Sequence, residues 1–244
     1  MSRGHRAPQP HERRSTEYAY DLLRSRILSG DIPPGSIVSQ AQIAESIGVS
    51  RTPLREATRL LQTEGLLEGE PNRRLRVATV SVSDLEQLYA LRITTEALAV
   101  RASVDLMDSD RLESLRKAFD DMERFALDGA VAEVDAAHRH FHALLVSGAG
   151  QRFAAVSSNL WDHTIRYRAA AVTSATNVAE VLIDAQAEHW QILTAAAEGD
   201  ADAAAAGLVR HYERTARTLI QATDPEHEPL LLNGAIAAAV GSRG

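Results

Sequence analysis

Glycine and proline cut the opening third of the chain into pieces that admit only short helices joined by rigid turns. From Thr16 to Ser29, Ala19, Leu22, Leu23 and Ile27 share one helical face, and Gly30 ends the segment. Asp31-Ile32-Pro33-Pro34-Gly35 cannot continue a helix, because proline lacks the amide donor and its ring clashes with the preceding turn. A second helix over Gln40–Ile47 is closed by Gly48. A third opens at Ser50, whose short polar side chain suits an N-cap. Pro53 falls in its first turn, and Leu54, Ala57, Leu60 and Leu61 form the buried stripe. Helix, glycine turn, helix is the helix-turn-helix pattern. Two strands, Leu66–Glu70 and Leu75–Val80, joined by Pro71-Asn72-Arg73-Arg74, add a wing.

Beyond Ser81 the pattern is helical throughout. Ser83-Asp84-Leu85-Glu86 reads as a capping box opening a long helix, and further helices fit 109–126, 130–147, 151–173, 178–198 and 201–223. The fold class is therefore mainly α: an N-terminal winged helix-turn-helix domain over 15–79 and a C-terminal all-helical bundle over 80–223. The polar, basic start (1–14) reads as a disordered arm, and 224–244 as a tail of unassigned order. The chain's 244 residues are ample for two domains. Its net charge of −7 hides a division: residues 1–80 hold 12 arginines against 9 acidic groups, while the remainder holds 14 cations against 24. A basic head on an acidic body suits a nucleic-acid partner for the head. With no cysteine, a thiolate metal site, a disulfide scaffold and a cysteine nucleophile are excluded. No apolar run is long enough to span a membrane, and the start lacks the apolar core of a secretion signal, so a cytoplasmic protein is expected.

A helix-turn-helix presents the N-terminal end of its second helix to base edges in the major groove. Here that end offers Ser50, Arg51, Thr52 and Arg55. Arginine suits bidentate contact with guanine, and serine or threonine suits phosphate or base. Arg59 lies one turn further along the same side. Arg73 and Arg74 at the hairpin tip are placed for a minor groove or backbone.

These residues carry a resemblance. Gly30-Asp31-Ile32-Pro33-Pro34-Gly35, Ile43-Ala44, Gly48-Val49-Ser50-Arg51-Thr52-Pro53-Leu54-Arg55-Glu56-Ala57 and Glu64-Gly65-Leu66, in register, resemble the winged helix of GntR-type bacterial transcription regulators. The resemblance implies that Arg51, Thr52 and Arg55 contact bases or phosphates of a palindromic operator, and that the protein is a homodimer. The chain departs from the family at the wing tip, where Arg74 replaces a frequent glycine, and this implies an altered operator preference.

His138 and His142, at i and i+4, lie on one helical face and can share an ion, whereas His140 points away. His189 and His211 sit on later helices within apolar stripes, and spacing alone does not tie them to the pair. Each of the four is equally readable as a hydrogen-bonded core histidine. A second resemblance, to the ligand-sensing domain of the FadR subfamily, rests on Arg92-x3-Glu96, Phe141-His142, Glu188-His189, Gly199-Asp200 and His211. It implies that His142, His189 and His211 ligate a divalent metal. His138 stands where the family has Asp, giving four neutral ligands that favour zinc or nickel over manganese. Asp135, one turn before His138, is placed to orient it. The resemblance further implies a small organic or sugar acid as effector, with Arg92, Arg166 and Tyr167 as candidate grips, although Arg92 can equally pair with Glu96. The expected function is a ligand-responsive, sequence-specific DNA-binding regulator, a repressor released by its effector. The alternative is a regulator whose helical domain binds effector without metal, the histidines being structural. An enzyme is not expected, because His138-Arg139-His140-Phe141-His142 lacks the glutamate that follows the first histidine of zinc peptidases.

Overall fold

The computed structural model describes residues 15–70, 74–79, 81–172 and 178–241; the basic arm (1–14) and Arg73 lie outside them. The chain forms two compact units, Met1–Val80 and Ser81–Gly244.

In the first unit, α1 (Thr16–Leu28) starts at Ser15, whose hydroxyl accepts from the Tyr18 amide at 3.0 Å. It buries Ala19, Leu23, Ile27 and Leu28. A short strand β1 (Ile37–Ser39) follows, which the sequence did not suggest; three residues are too few to show alternation. Helix α2 (Gln40–Ile47) has a capping box between Ser39 and Gln42 and ends at Gly48, whose φ of 69° is left-handed backbone that a side chain would strain. Helix α3 spans Arg51–Thr63, and β2 (Leu67–Glu70) and β3 (Arg74–Val77) complete the wing. Strand β3 is central: β1 pairs with it antiparallel, Ile37 opposite Arg76, and β2 pairs on its other edge, Leu67 opposite Val77.

Two local expectations change here. Ser50 occupies the N-cap position of α3, but its hydroxyl makes no capping bond. Leu60 is 49% exposed, and Thr58 takes a buried place instead. One turn of α3 is enough to carry Leu60 past the edge of the stripe set by Leu54, Ala57 and Leu61. Burying leucines of this kind contributes ~1.5–3 kcal/mol each, which is most of what a unit this small has. Glu64, just past α3, accepts from the Tyr20 hydroxyl and from Arg24 Nε at 3.1 Å, fastening α1 to α3. Burial and the Glu64 carboxylate push the Tyr20 phenol up to about 12.

The second unit is built on α4 (Val82–Val104), which packs along α9 (Ala201–Thr223), α7 (Gln151–Val172) and α6 (Val131–Val146). Its N-cap is Ser81, accepting from the Asp84 amide, and not Ser83 as expected. The helix begins at Val82, so the cap falls two residues earlier than expected. Helix α5 (Ser109–Leu127) pairs with α6, and α8 (Val178–Ala197) pairs with α9. The segment after Asp224 carries a further helix, α10 (Leu230–Gly241), which buries Leu232, Ala235 and Ala239 against α4. Its docking has a polar anchor. The buried Glu86 carboxylate accepts from the amides of Leu231 and Leu232, at 2.6 and 3.1 Å, and meets His227 Nε2 at 2.8 Å. At the other end Arg101 donates to the Ala239 carbonyl at 3.0 Å. Burial disfavours the Glu86 charge, but His227 and the two amides outweigh it and hold the carboxyl below its ordinary range. Among the described residues no helix is long and apolar enough to cross a membrane.

Candidate DNA-contact face and metal centre

Ser50, Arg51, Thr52, Arg55 and Arg59 are all exposed at the start of and along α3, and Arg74 is exposed at the start of β3. The spacing 51, 55, 59 sets three guanidinium groups on one side of the helix, one turn apart. Pro53, Leu54, Ala57 and Thr58 fix the opposite side in the core. Arg55 meets the neighbouring Glu56 at 3.4 Å, both well exposed, a contact worth little in water.

In the second unit, ring nitrogens of His138, His142, His189 and His211 all lie within 4.8 Å of one another. The i, i+4 pair comes from α6, His189 from α8 and His211 from α9. His142, His189 and His211 are buried and His138 is half-buried, so three helices deliver four imidazoles to one point. Gly207, one turn before His211, makes this approach possible. A methyl there would stand 2.9 Å from Cγ1 of Ile192, itself three residues after His189. Trp161 on α7 closes one side, its ring centroid 4.9 Å from that of His138 and 5.2 Å from that of His142.

Three of the four rings point Nε2 inward. His138 Nε2 lies 2.9 Å from His189 Nε2 and 3.0 Å from His142 Nε2, and His142 to His189 is 3.2 Å. The outward nitrogens show where the protons sit. His211 Nδ1 is 2.9 Å from Glu188 Oε2, an acceptor only, so Nδ1 carries the proton. The Tyr212 hydroxyl gives its single proton to Glu96 Oε2 at 2.6 Å, and therefore accepts from His142 Nδ1 at 3.0 Å and from Arg92 Nη2. His142 thus turns a bare Nε2 lone pair toward His138 and His189, and the bare nitrogen of His211 is its Nε2. Bare lone pairs at this distance repel, and either an Nε2–H donated by a neighbouring ring or a cation shared by the nitrogens relieves that repulsion. Nitrogens about 2.0–2.1 Å from one zinc ion are ~2.9–3.4 Å apart, which matches the observed triangle. The four histidines can hold a metal ion.

Arg92 is buried and engaged. Its Nε lies 3.0 Å from Glu96 Oε1, and its guanidinium stacks over Tyr212 and Trp161 at 4.0 and 5.1 Å. Burial opposes its charge, but Glu96, Tyr212 and Tyr89 outweigh burial and hold Arg92 above its ordinary range. Burial also raises the Tyr212 phenol well above its usual value. Of the expected anion grips, Arg92 is thus the ion pair that was its other reading. Tyr167 is buried and donates to Asp84, and Arg166 lies on α7 with its side chain outside the described residues. Asp135 sits half-buried one turn before His138. Glu188, Tyr212, Glu96 and Trp161 escaped the sequence reading as site residues. The adjacency of Glu188 to His189 and of Tyr212 to His211, and the spacing of Glu96 from Arg92, were the signals for three of them.

An arginine-faced winged helix followed by an all-helical body with a buried histidine centre defines a DNA-binding transcription regulator with a sensing domain. Residues 15–77 match the bacterial regulatory proteins of the gntR family, and residues 87–214 match the FCD domain; the chain belongs to the gntR family. It is similar to the uncharacterized HTH-type transcriptional regulator YdhC of Bacillus subtilis (strain 168), 33% identical over 145 residues, covering 59% of this chain and 63% of that protein. It is also similar to the HTH-type transcriptional repressor GlaR of Escherichia coli (strain K12), 28% identical over 212 residues, 83% of this chain and 94% of GlaR. In fold it resembles E. coli McbR/YncC, with a TM-score of 0.75 and 20% identity over 86% of this chain and 98% of that one. None of this points to an enzyme.

Proposed function

We propose that this regulator is a cytoplasmic homodimeric repressor that releases a palindromic operator when a small organic or sugar acid binds at a metal centre in its helical unit. Ser50, Arg51, Thr52, Arg55, Arg59, Arg73 and Arg74 are its DNA contacts, with the α3 N-terminus in the major groove and the wing tip against the adjacent groove or backbone. His138, His142, His189 and His211 are the metal ligands. Imidazole donors alone favour zinc or nickel over manganese. A divalent ion held there would supply a positive centre for a carboxylate.

The observation that carries this reading is the convergence of four imidazoles from three helices, with Nε2 of His138, His142 and His189 lying 2.9, 3.0 and 3.2 Å apart. Arg92 and Tyr167 are engaged with Glu96 and Asp84, so an effector gains their donors only by displacing those internal carboxylates. Arg166 is the third grip. A hundredfold fall in operator affinity on effector binding corresponds to about 2.7 kcal/mol, within the ordinary range of allosteric coupling.

The test is metal content per chain by elemental analysis, with operator binding by gel shift, for the wild type and a His142→Ala/His189→Ala variant. Stoichiometric zinc or nickel in the wild type and its loss in the variant support the centre. Equal metal content in both overturns it and leaves the histidines as core residues.

A further inference from the structure

The two best-defined ligands of the histidine cluster are each held from behind, by different devices on different helices. His211 Nδ1 donates directly to Glu188 of α8, and that carboxylate also pairs with Arg214 Nε at 2.8 Å. His142 Nδ1 donates to the Tyr212 oxygen, and Tyr212 passes its own proton to Glu96 of α4, which pairs with Arg92. Both routes end on a carboxylate, one direct and one through a phenol. Both carboxylates are matched by an arginine, so neither adds net charge beside the cluster. A carboxylate behind an imidazole fixes which nitrogen is bare and makes that nitrogen a stronger donor to a metal. The Tyr212 and Glu96 side chains are sealed from water, so their hydrogen bonds are not in competition with solvent.

We propose that Tyr212, polarised by Glu96, and Glu188 are positioning residues. They fix His142 and His211 as Nδ1–H tautomers with Nε2 bare, and so set the cation affinity of the cluster without touching the cation. This rests on the metal reading above and adds the residues that control it. One device thus starts on α4 and the other on α8, the helix that also carries His189.

The experiment has two parts on the full chain. Nitrogen-15 histidine spectra of the metal-free wild type are expected to show His142 and His211 protonated at Nδ1. Zinc affinity is then measured by competition with a chromophoric chelator. Tyr212→Phe keeps the packing and removes the acceptor; Glu188→Ala removes the other acceptor at a partly exposed position where folding is spared. Each is expected to weaken zinc binding ~10–100-fold. Glu188→Gln, which retains an acceptor oxygen, is expected to recover most of the loss. If the wild type binds zinc and both truncating variants bind it equally well, the positioning roles are overturned while the metal centre stands. If the wild type binds no zinc, both readings fall. Nε2–H tautomers at His142 and His211 in the metal-free protein overturn the positioning roles by themselves.

Discussion

In the N-terminal unit the arginines proposed to contact DNA, Arg51, Arg55, Arg59 and Arg74, lie in solvent on a core of leucine, isoleucine and alanine. In the helical unit the charged groups that matter, Arg92, Glu96 and Glu86, are themselves the core. The contrast separates two ways of building function. On the first surface a side chain meets its partner without helping to fold the chain, so recognition is free to vary while the fold persists. In the second, each polar group was removed from water and is held by its neighbours, so the site and the stability of the bundle are one object.

The comparison breaks or holds most visibly at Arg92. Arg92→Ala leaves Glu96 buried without its cation, and a loss of ~3–5 kcal/mol is expected in chemical denaturation of the helical unit. A loss no greater than that of a surface substitution would show that the pair is dispensable to the core. Arg51→Ala is the opposite case. Operator binding should weaken by ~1–3 kcal/mol in a gel shift, with the melting temperature unchanged. A drop in melting temperature with operator affinity intact would place Arg51 in the fold and not at the interface. The smallest effect concerns Glu86, whose carboxyl is held below its ordinary 4.5 in the folded protein. A depressed carboxyl stabilises the fold above its unfolded value, and that contribution is lost as pH falls through the lower, native value. Denaturation of the wild type should therefore lose stability below about pH 4.5 that Glu86→Gln has already lost at neutral pH. Parallel pH profiles for the two proteins would show that Glu86 does not anchor α10.

Much of the architecture could be read directly because the chain punctuates itself. Gly48 closes α2, Gly129 and Gly199 mark the two helical hairpins, and the apolar faces of α1 and α3 repeat at helical spacing. What escaped was set by length or by distance along the chain. Strand β1 has three residues and owes its existence to β3, which lies more than thirty positions away. Helix α10 is apolar nearly all round, so it shows no stripe, and Glu86 and Arg101, both far from it in sequence, are what reveal where it docks. The same holds at the histidine centre. Spacing pairs His138 with His142, but the placing of His189 and His211 beside them depends on how α8 and α9 cross, which no periodicity records. Glu188 was legible only as the neighbour of His189, and adjacent residues of a helix point in different directions. Pointing away from one ring is what lets it reach the next helix and hold His211.

Gly207 shows how narrow the tolerance of such a centre is. The rings of His189 and His211 stand 4.4 Å apart, centre to centre, and the helices bearing them touch where that glycine faces Ile192. A lone hydrogen at position 207 is therefore the spacer between these two turns, and thickening it by one carbon would force Ile192 or the helix bearing it to give way.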